Sequence, residues 1–144
     1  MNYIHEAKEF LRHYKDIKIA NENLRYKIKE LNSRLGEVKS MTISDMPKGG
    51  GGELPDDKLC NIVFERDKNI EALQKNSLTL TKATTILNKL DEESRKVLIL
   101  SFIEDDKTDT EIARELKITR PTLNEKRKKA LKKFSIQLYG IKAI

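Results

Sequence analysis

Apolar positions recur along this chain at alternating intervals of three and four from the third residue onward. Tyr3, Ala7, Phe10, Tyr14, Ile17, Asn21, Leu24, Ile28, Leu31, Leu35 and Val38 follow the rhythm through five heptads. A run of that length predicts one long helix over residues 3–39, with a coiled-coil-like seam. Ile4 and Leu11 widen the stripe, which suits packing against more than one helix. A second periodic stretch opens at Pro55-Asp56-Asp57 and predicts a helix over residues 56–89. Its stripe reads Leu59, Ile62, Val63, Ile70, Leu73, Leu80 and Leu87, interrupted by Arg66, Ser77 and Thr84. The threonines between Asn76 and Thr85 mark a place where this helix is expected to bend or break. Farther on, Val97, Leu98, Leu100, Phe102 and Ile103 form the apolar side of a third helix. Asp91 is its cap, and acids fill its first turn, where the helix dipole favours them. Alternating runs of β-branched residues are almost absent, so the expected fold class is all-α.

The last pattern is the most informative. Thr108 with Glu111 three residues later is a capping box, and Ile112, Ala113 and Leu116 give the helix that follows one buried face. Lys117-Ile118 is the turn, with Ile118 as its apolar plug. Thr119 caps a second helix, and Pro121 falls in its first turn, where a missing N–H does little harm. Leu123, Ala130, Leu131 and Phe134 form that helix's inner face, while Arg120, Asn124, Lys128 and Lys132, spaced by four, share an outer face. Two helices, a tight turn and a basic second helix make a helix-turn-helix.

Residues 40–55, SMTISDMPKGGGGELP, are glycine-rich and read as a flexible linker. They lack the Gly-Lys-Ser/Thr of a phosphate loop. A linker of this kind lets the second helix turn back along the first. An antiparallel hairpin within one chain is the preferred reading for the long helices, and a homodimer through them is the alternative. Asn21 in the seam resembles the polar residue that fixes register in parallel dimers. Against that, Lys18, Arg25 and Lys27 would face their own copies without acidic partners. The expected organisation is a long helix at 1–39, the linker at 40–55, a second long helix at 56–89 and a helix-turn-helix domain at 90–144.

Composition adds two constraints. The chain has 144 residues, of which 38% are apolar and 36% charged, and no tryptophan. Elongated helices with thin cores fit those proportions. The single cysteine, Cys60, cannot close an internal disulfide, which fits a reducing cytoplasm. No window approaches the ~18 apolar residues of a membrane span, so a membrane is not an expected partner. The net charge of +6 matters less than its distribution. Residues 91–111 carry three basic against eight acidic groups, and residues 112–133 carry nine basic against two acidic. A positive field confined to one helical pair is the footprint of phosphate contact.

Leu90, the Arg95–Leu100 core, Glu111-Ile112-Ala113 with Leu116, Ile118-Thr119, Leu123 and the Lys129–Lys133 tail together resemble region four of bacterial sigma factors. That domain reads the −35 promoter element. Lys117 stands where the family has a turn glycine, and Lys126 where it has an apolar residue of the recognition helix. The first departure implies a strained turn; the second implies a looser core with added charge near DNA. Residues 1–89 do not resemble a sigma factor. The layout of long helix, linker, second helix and sigma-like domain resembles small phage-encoded regulators of the ArpU and RinA type. That resemblance implies control of phage late or packaging genes.

The expected partner is therefore double-stranded DNA, with RNA polymerase as a second partner implied by the sigma resemblance, in the cytoplasm of a bacterial host. Arg120, Thr122, Asn124 and Glu125 are the candidates for base edges in the major groove. Lys126, Lys128, Lys129, Lys132 and Lys133 are the candidates for phosphates, with Lys117 and Thr119 at the backbone near the turn. Two other readings stay open: a small terminase subunit, which also joins such a motif to oligomerising helices, and a helical protein-interaction module. No nucleophile–base pair, metal-ligand cluster or paired acids stand out, so neither an enzyme, a metal nor a cofactor is expected.

Overall fold

The computed structural model describes residues 2–40 and 55–144. The expected linker lies, for residues 41–54, outside the described residues. The order of elements is α1 (Tyr3–Lys39), α2 (Pro55–Lys89), α3 (Glu92–Leu98), a π-helical turn (Ile99–Glu104), α4 (Asp109–Leu116), α5 (Arg120–Tyr139) and a closing 3-10 turn (Gly140–Ala143). No strand occurs among the described residues, and the chain is all-α. None of these helices is long and apolar enough to cross a membrane.

Two compact units divide the chain, one of Met1–Lys18 with Leu78–Ile144, the other of Ile19–Ser77. In the second unit, Leu31, Leu35 and Val38 of α1 pack on Ile62 of α2, with Leu59 and Val63 alongside. Arg66 donates to the Asn32 side chain at 3.4 Å across the same pair. The helices here run in opposite directions within one chain, so the apolar seam is already filled. Asn21 is 1% exposed, with neither amide atom hydrogen-bonded among the described residues. Ile19, Tyr26 and Phe64 remain exposed in this unit, as does Cys60.

In the first unit, Ala7 and Leu11 of α1 share a core with Ile86 and Leu87 of α2 and with Leu90 just beyond it. Leu98, Phe102, Ala130, Leu131 and Phe134 from the later elements complete it. Phe10 lies against Phe134 with ring centroids 6.1 Å apart, and Tyr3 against Tyr139 at 5.2 Å. Ala7 and Leu11 are each fully buried. Burying one leucine side chain contributes roughly 1.5–3 kcal/mol, so α1 is part of this unit's core and not an appendage. The boundary expected at residue 90 therefore does not coincide with the compact units. The short C-terminal helices have one face that only α1 and the end of α2 cover.

Three details of the apolar pattern come out differently. Leu11 is buried as expected, while Ile4 is exposed. In α2 the buried line passes through Ala83 and Ile86, and Thr84 faces out. The 3,4 spacing from Leu59 through Ile62, Arg66, Asn69, Leu73, Asn76 and Leu80 leads to Ala83 and Leu87, with polar residues at three of its steps. The threonine-rich segment does not end α2, which continues to Lys89. The Thr84 hydroxyl bonds the Leu80 carbonyl at 3.0 Å and lies 3.2 Å from the Tyr14 hydroxyl, a local arrangement that helices accommodate.

Candidate nucleic-acid interface

Each helix of the C-terminal half begins on a polar cap. Asp91 accepts from the Ser94 backbone N–H at 3.1 Å, Thr108 from Glu111 N–H at 3.3 Å, and Thr119 from Thr122 N–H at 3.3 Å. These are the cap positions the sequence marks, and each satisfies a donor that the first helical turn leaves open. Between α3 and α4 the chain passes through the π-turn and then Asp105, whose φ of 47° is left-handed. Val97, Leu100, Ile112, Ala113 and Leu123 form a separate core under the motif, with Leu116 and Ile118 packed against it.

The turn from α4 to α5 is closed by two backbone bonds. Ile118 N–H reaches the Ala113 carbonyl at 2.9 Å, and Lys117 N–H reaches the Arg114 carbonyl at 3.2 Å. This is a Schellman motif, and the packing of Ile118 beside Ala113 supplies its usual apolar contact. Such a motif places its C′ residue in the left-handed region. Here that residue is Lys117, at φ 60° and ψ 42°. Glycine takes this conformation freely, whereas a side chain pays roughly 1–2 kcal/mol for it.

The recognition helix α5 buries Leu123, Ala130, Leu131, Phe134 and Ser135 and turns the rest outward. Arg120, Asn124, Glu125, Lys128, Lys129 and Lys132 are exposed on it. Arg120, Asn124, Lys128 and Lys132 lie in one row, because residues four apart nearly align along a helix. Lys117 is exposed at the turn. Thr119 and Thr122 are engaged with each other, their hydroxyls 2.8 Å apart.

Two of the expected phosphate ligands are placed elsewhere. Lys126 is ion-paired to Glu93, and Lys133 lies 3.2 Å from the Asp91 carboxylate. Both flank the side of α5 that meets α3, so the acidic first turn of α3 neutralises them. Asp91 is held far below the usual carboxylate range, first by its bonds to the Ser94 side chain and backbone and then by Lys133. Glu92 is lowered by Lys96, which lies 3.1 Å away. The charge that Lys126 adds at an apolar position is thus compensated inside the domain.

Arg127, absent from the expected set, is held by polar groups of other elements. It donates to both carboxylate oxygens of Asp109, at 2.7 and 3.3 Å, and to the Ser101 hydroxyl at 3.2 Å. A further N–H reaches the Asn124 side-chain oxygen at 3.4 Å, and the guanidinium lies 6.0 Å from the Phe102 ring centre. The Asp109 carboxyl is lowered chiefly by this hydrogen bond. Arg127 therefore ties α5 to the start of α4 and to the π-turn. Its bond to the Asn124 oxygen joins that side chain to the same network. A signal was present: Arg127 lies four residues from the buried Leu123, on its side of the helix.

From α3 to α5 the chain is a helix-turn-helix domain whose second helix presents an exposed basic row. Residues 86–134 match the family model described as Sigma-70, region 4. The match covers the end of α2 and the domain as far as Phe134, and leaves α1 outside. No curated protein and no solved structure matches the chain. The domain at 86–134 is thus a helix-turn-helix that resembles sigma region four.

Proposed function

We propose that this protein is a sequence-specific regulator of transcription that inserts α5 into the major groove of double-stranded DNA. The observation that carries the reading is the exposed row Arg120–Asn124–Lys128–Lys132, set on a domain that matches sigma region four. Arg120 would chelate guanine, Asn124 adenine, and Glu125 would accept from cytosine. Lys128, Lys129 and Lys132, with Lys117 at the turn, would hold phosphates. Lys126 and Lys133 leave that set, since acids of α3 hold them. Thr119 and Thr122 serve first as the cap of α5.

The sequence layout supports a regulator of phage late or packaging genes. RNA polymerase is the proposed second partner. The acids at the start of α3 are engaged within the domain, so the exposed turn Glu104-Asp105-Asp106 is the acidic surface left for it. Because the seam of the long helices is filled within the chain, we expect a monomer in light scattering at micromolar concentration. A stable dimer would shift the reading towards paired half-sites about one helical turn apart, and a large ring towards a packaging subunit.

Genomic footprinting followed by in vitro transcription with and without the protein tests the proposal. In a sequence-selection assay, Arg120→Ala and Asn124→Ala should each relax preference at one base position, at a cost of about 1–3 kcal/mol. If preference is unchanged in both, α5 does not read bases in this orientation.

A further inference from the structure

We propose that Lys8 and Arg12 of α1 form a second backbone-binding strip beside the recognition helix. DNA would then be gripped by the N-terminal helix as well as by the helix-turn-helix. The inference rests on the DNA-binding reading of α5. Its basis is an open cleft of about 530 Å³ in the first unit, with Lys8 and Arg12 on the α1 side and Asn124, Arg127 and Lys128 on the α5 side. Nothing in the motif itself requires cations on α1 at this place.

The charges in the cleft are not equivalent. Arg127 is engaged by Asp109, and Lys107, another lining residue, is held 2.6 Å from Glu115. Lys8 and Lys128 stand in no ion pair among the described residues. Arg12 meets Glu9 at 3.3 Å, an exposed pair one turn apart on the same helix, which contributes little and exchanges readily with a phosphate. Asp105 is the one lining acid without an ion-pair partner among the described residues. The cleft therefore has a surplus of available positive charge beside the row proposed to read bases. On the opposite flank of α5, Lys126 and Lys133 are neutralised by α3. Lys8, Arg12 and Lys128 thus have no acidic partner on another element among the described residues, whereas Lys126 and Lys133 do.

The strip is also rigidly placed. Ala7 and Leu11, adjacent to Lys8 and Arg12, are fully buried in the core that contains Leu131 and Phe134. The Arg12 guanidinium lies 5.9 Å from the Phe102 ring centre, against the same ring as Arg127. Side chains ordered before binding lose less entropy on binding. Lys15, next along the same face of α1, lines a different groove with Glu104 and Asp106, so the strip ends at Arg12. A helix in the major groove has a sugar–phosphate backbone along each side. Lys8 and Arg12 are placed for the one on the α1 side.

The test uses the full chain and its footprinted duplex, with binding followed from about 50 to about 200 mM salt. Lys8→Gln with Arg12→Gln should flatten the slope of log affinity against log salt by about 1.8, since each lost phosphate contact removes about 0.9. Hydroxyl-radical protection should vanish from backbone positions on one side of the site and persist at its centre. Arg12→Lys should restore most of the slope, showing that charge and not stacking on Phe102 is responsible. Lys8→Gln alone removes no bond of the fold and keeps the test valid if the double variant unfolds. Should slope and footprint stay unchanged while Lys128→Gln alters both, α1 makes no contact and the inference is wrong. If Lys128→Gln is equally silent, or the chain binds no duplex, the DNA reading of α5 fails first.

Discussion

Replacing Lys117 with glycine isolates the backbone cost of the turn between α4 and α5. Lys117 is held at φ 60° by the Schellman bonds, and its side chain is exposed with no ion pair among the described residues. No ion pair or side-chain hydrogen bond among the described residues is lost with it. A non-glycine residue in this conformation costs about 1–2 kcal/mol. Glycine gives part of that back by enlarging the unfolded ensemble, by about 0.4–1 kcal/mol. The difference leaves Lys117→Gly more stable by about 0.5–1 kcal/mol. For a unit of this size that corresponds to a melting midpoint higher by about 2–8 °C. Scanning calorimetry with parallel urea melts reads it directly. Lys117→Ala is the control, because its Cβ keeps the strain; its midpoint should stay near that of the parent. If glycine and alanine give the same midpoint, the left-handed turn costs nothing and the reasoning is refuted. Both variants lose the same charge, so both should show a salt slope for DNA binding shallower by about 0.9 if Lys117 holds a phosphate. Stability and binding then move in opposite directions in one variant.

Arg127→Met should cost about 1–2 kcal/mol, since Arg127 is mostly buried but Asp109 is partly exposed and regains water. It should also blur base preference at the position Asn124 reads, and unchanged stability and specificity together would show that Arg127 positions nothing. Leu11→Ala should destabilise the helix-turn-helix unit by about 2–5 kcal/mol, because it opens a cavity beside Leu131 and Phe134; a loss below about 1 kcal/mol means that α1 is not part of that core. The pH dependence has a defined direction. Asp91, Glu92 and Asp109 have folded-state pKa values below their ordinary ones, so the native state binds fewer protons there than the unfolded chain. Their contribution is complete above about pH 5 and fades as pH falls through the carboxylate range near 4 and below. Urea midpoints should therefore be level at neutral pH and drop in acid, and Asp109→Asn should shallow that drop.

The helix set was readable from periodicity, because one face of every helix is buried and the 3,4 spacing records it. Asp91, Thr108 and Thr119 marked the helix starts for the same local reason: a cap needs only its own first turn. Lys117 announced a special turn because glycine is the residue that geometry favours. What could not be read was tertiary. The partner of α1's widened stripe is an element more than a hundred positions away, and no local pattern says which one. Likewise Lys126 and Lys133 look the same in sequence as Lys128 and Lys129. Only the placement of α3 shows that two of them meet acids and two do not. Thr84 does interrupt the apolar row, and the neighbouring Ala83 and Ile86 carry the buried line past it.

The burial of Ala7 and Leu11 against Phe134 has a consequence for how this protein comes to be. Both residues leave the ribosome long before α5 exists, so the start of α1 must wait, exposed, for a helix still to be synthesised. Contacts so distant in sequence close slowly, because a large loop must be drawn in before they form. The core of the helix-turn-helix unit can therefore be completed only after translation has passed Phe134. A fragment cut to residues 86–134 would carry the recognisable motif yet leave Leu98, Phe102, Leu131 and Phe134 uncovered, a surface prone to aggregation.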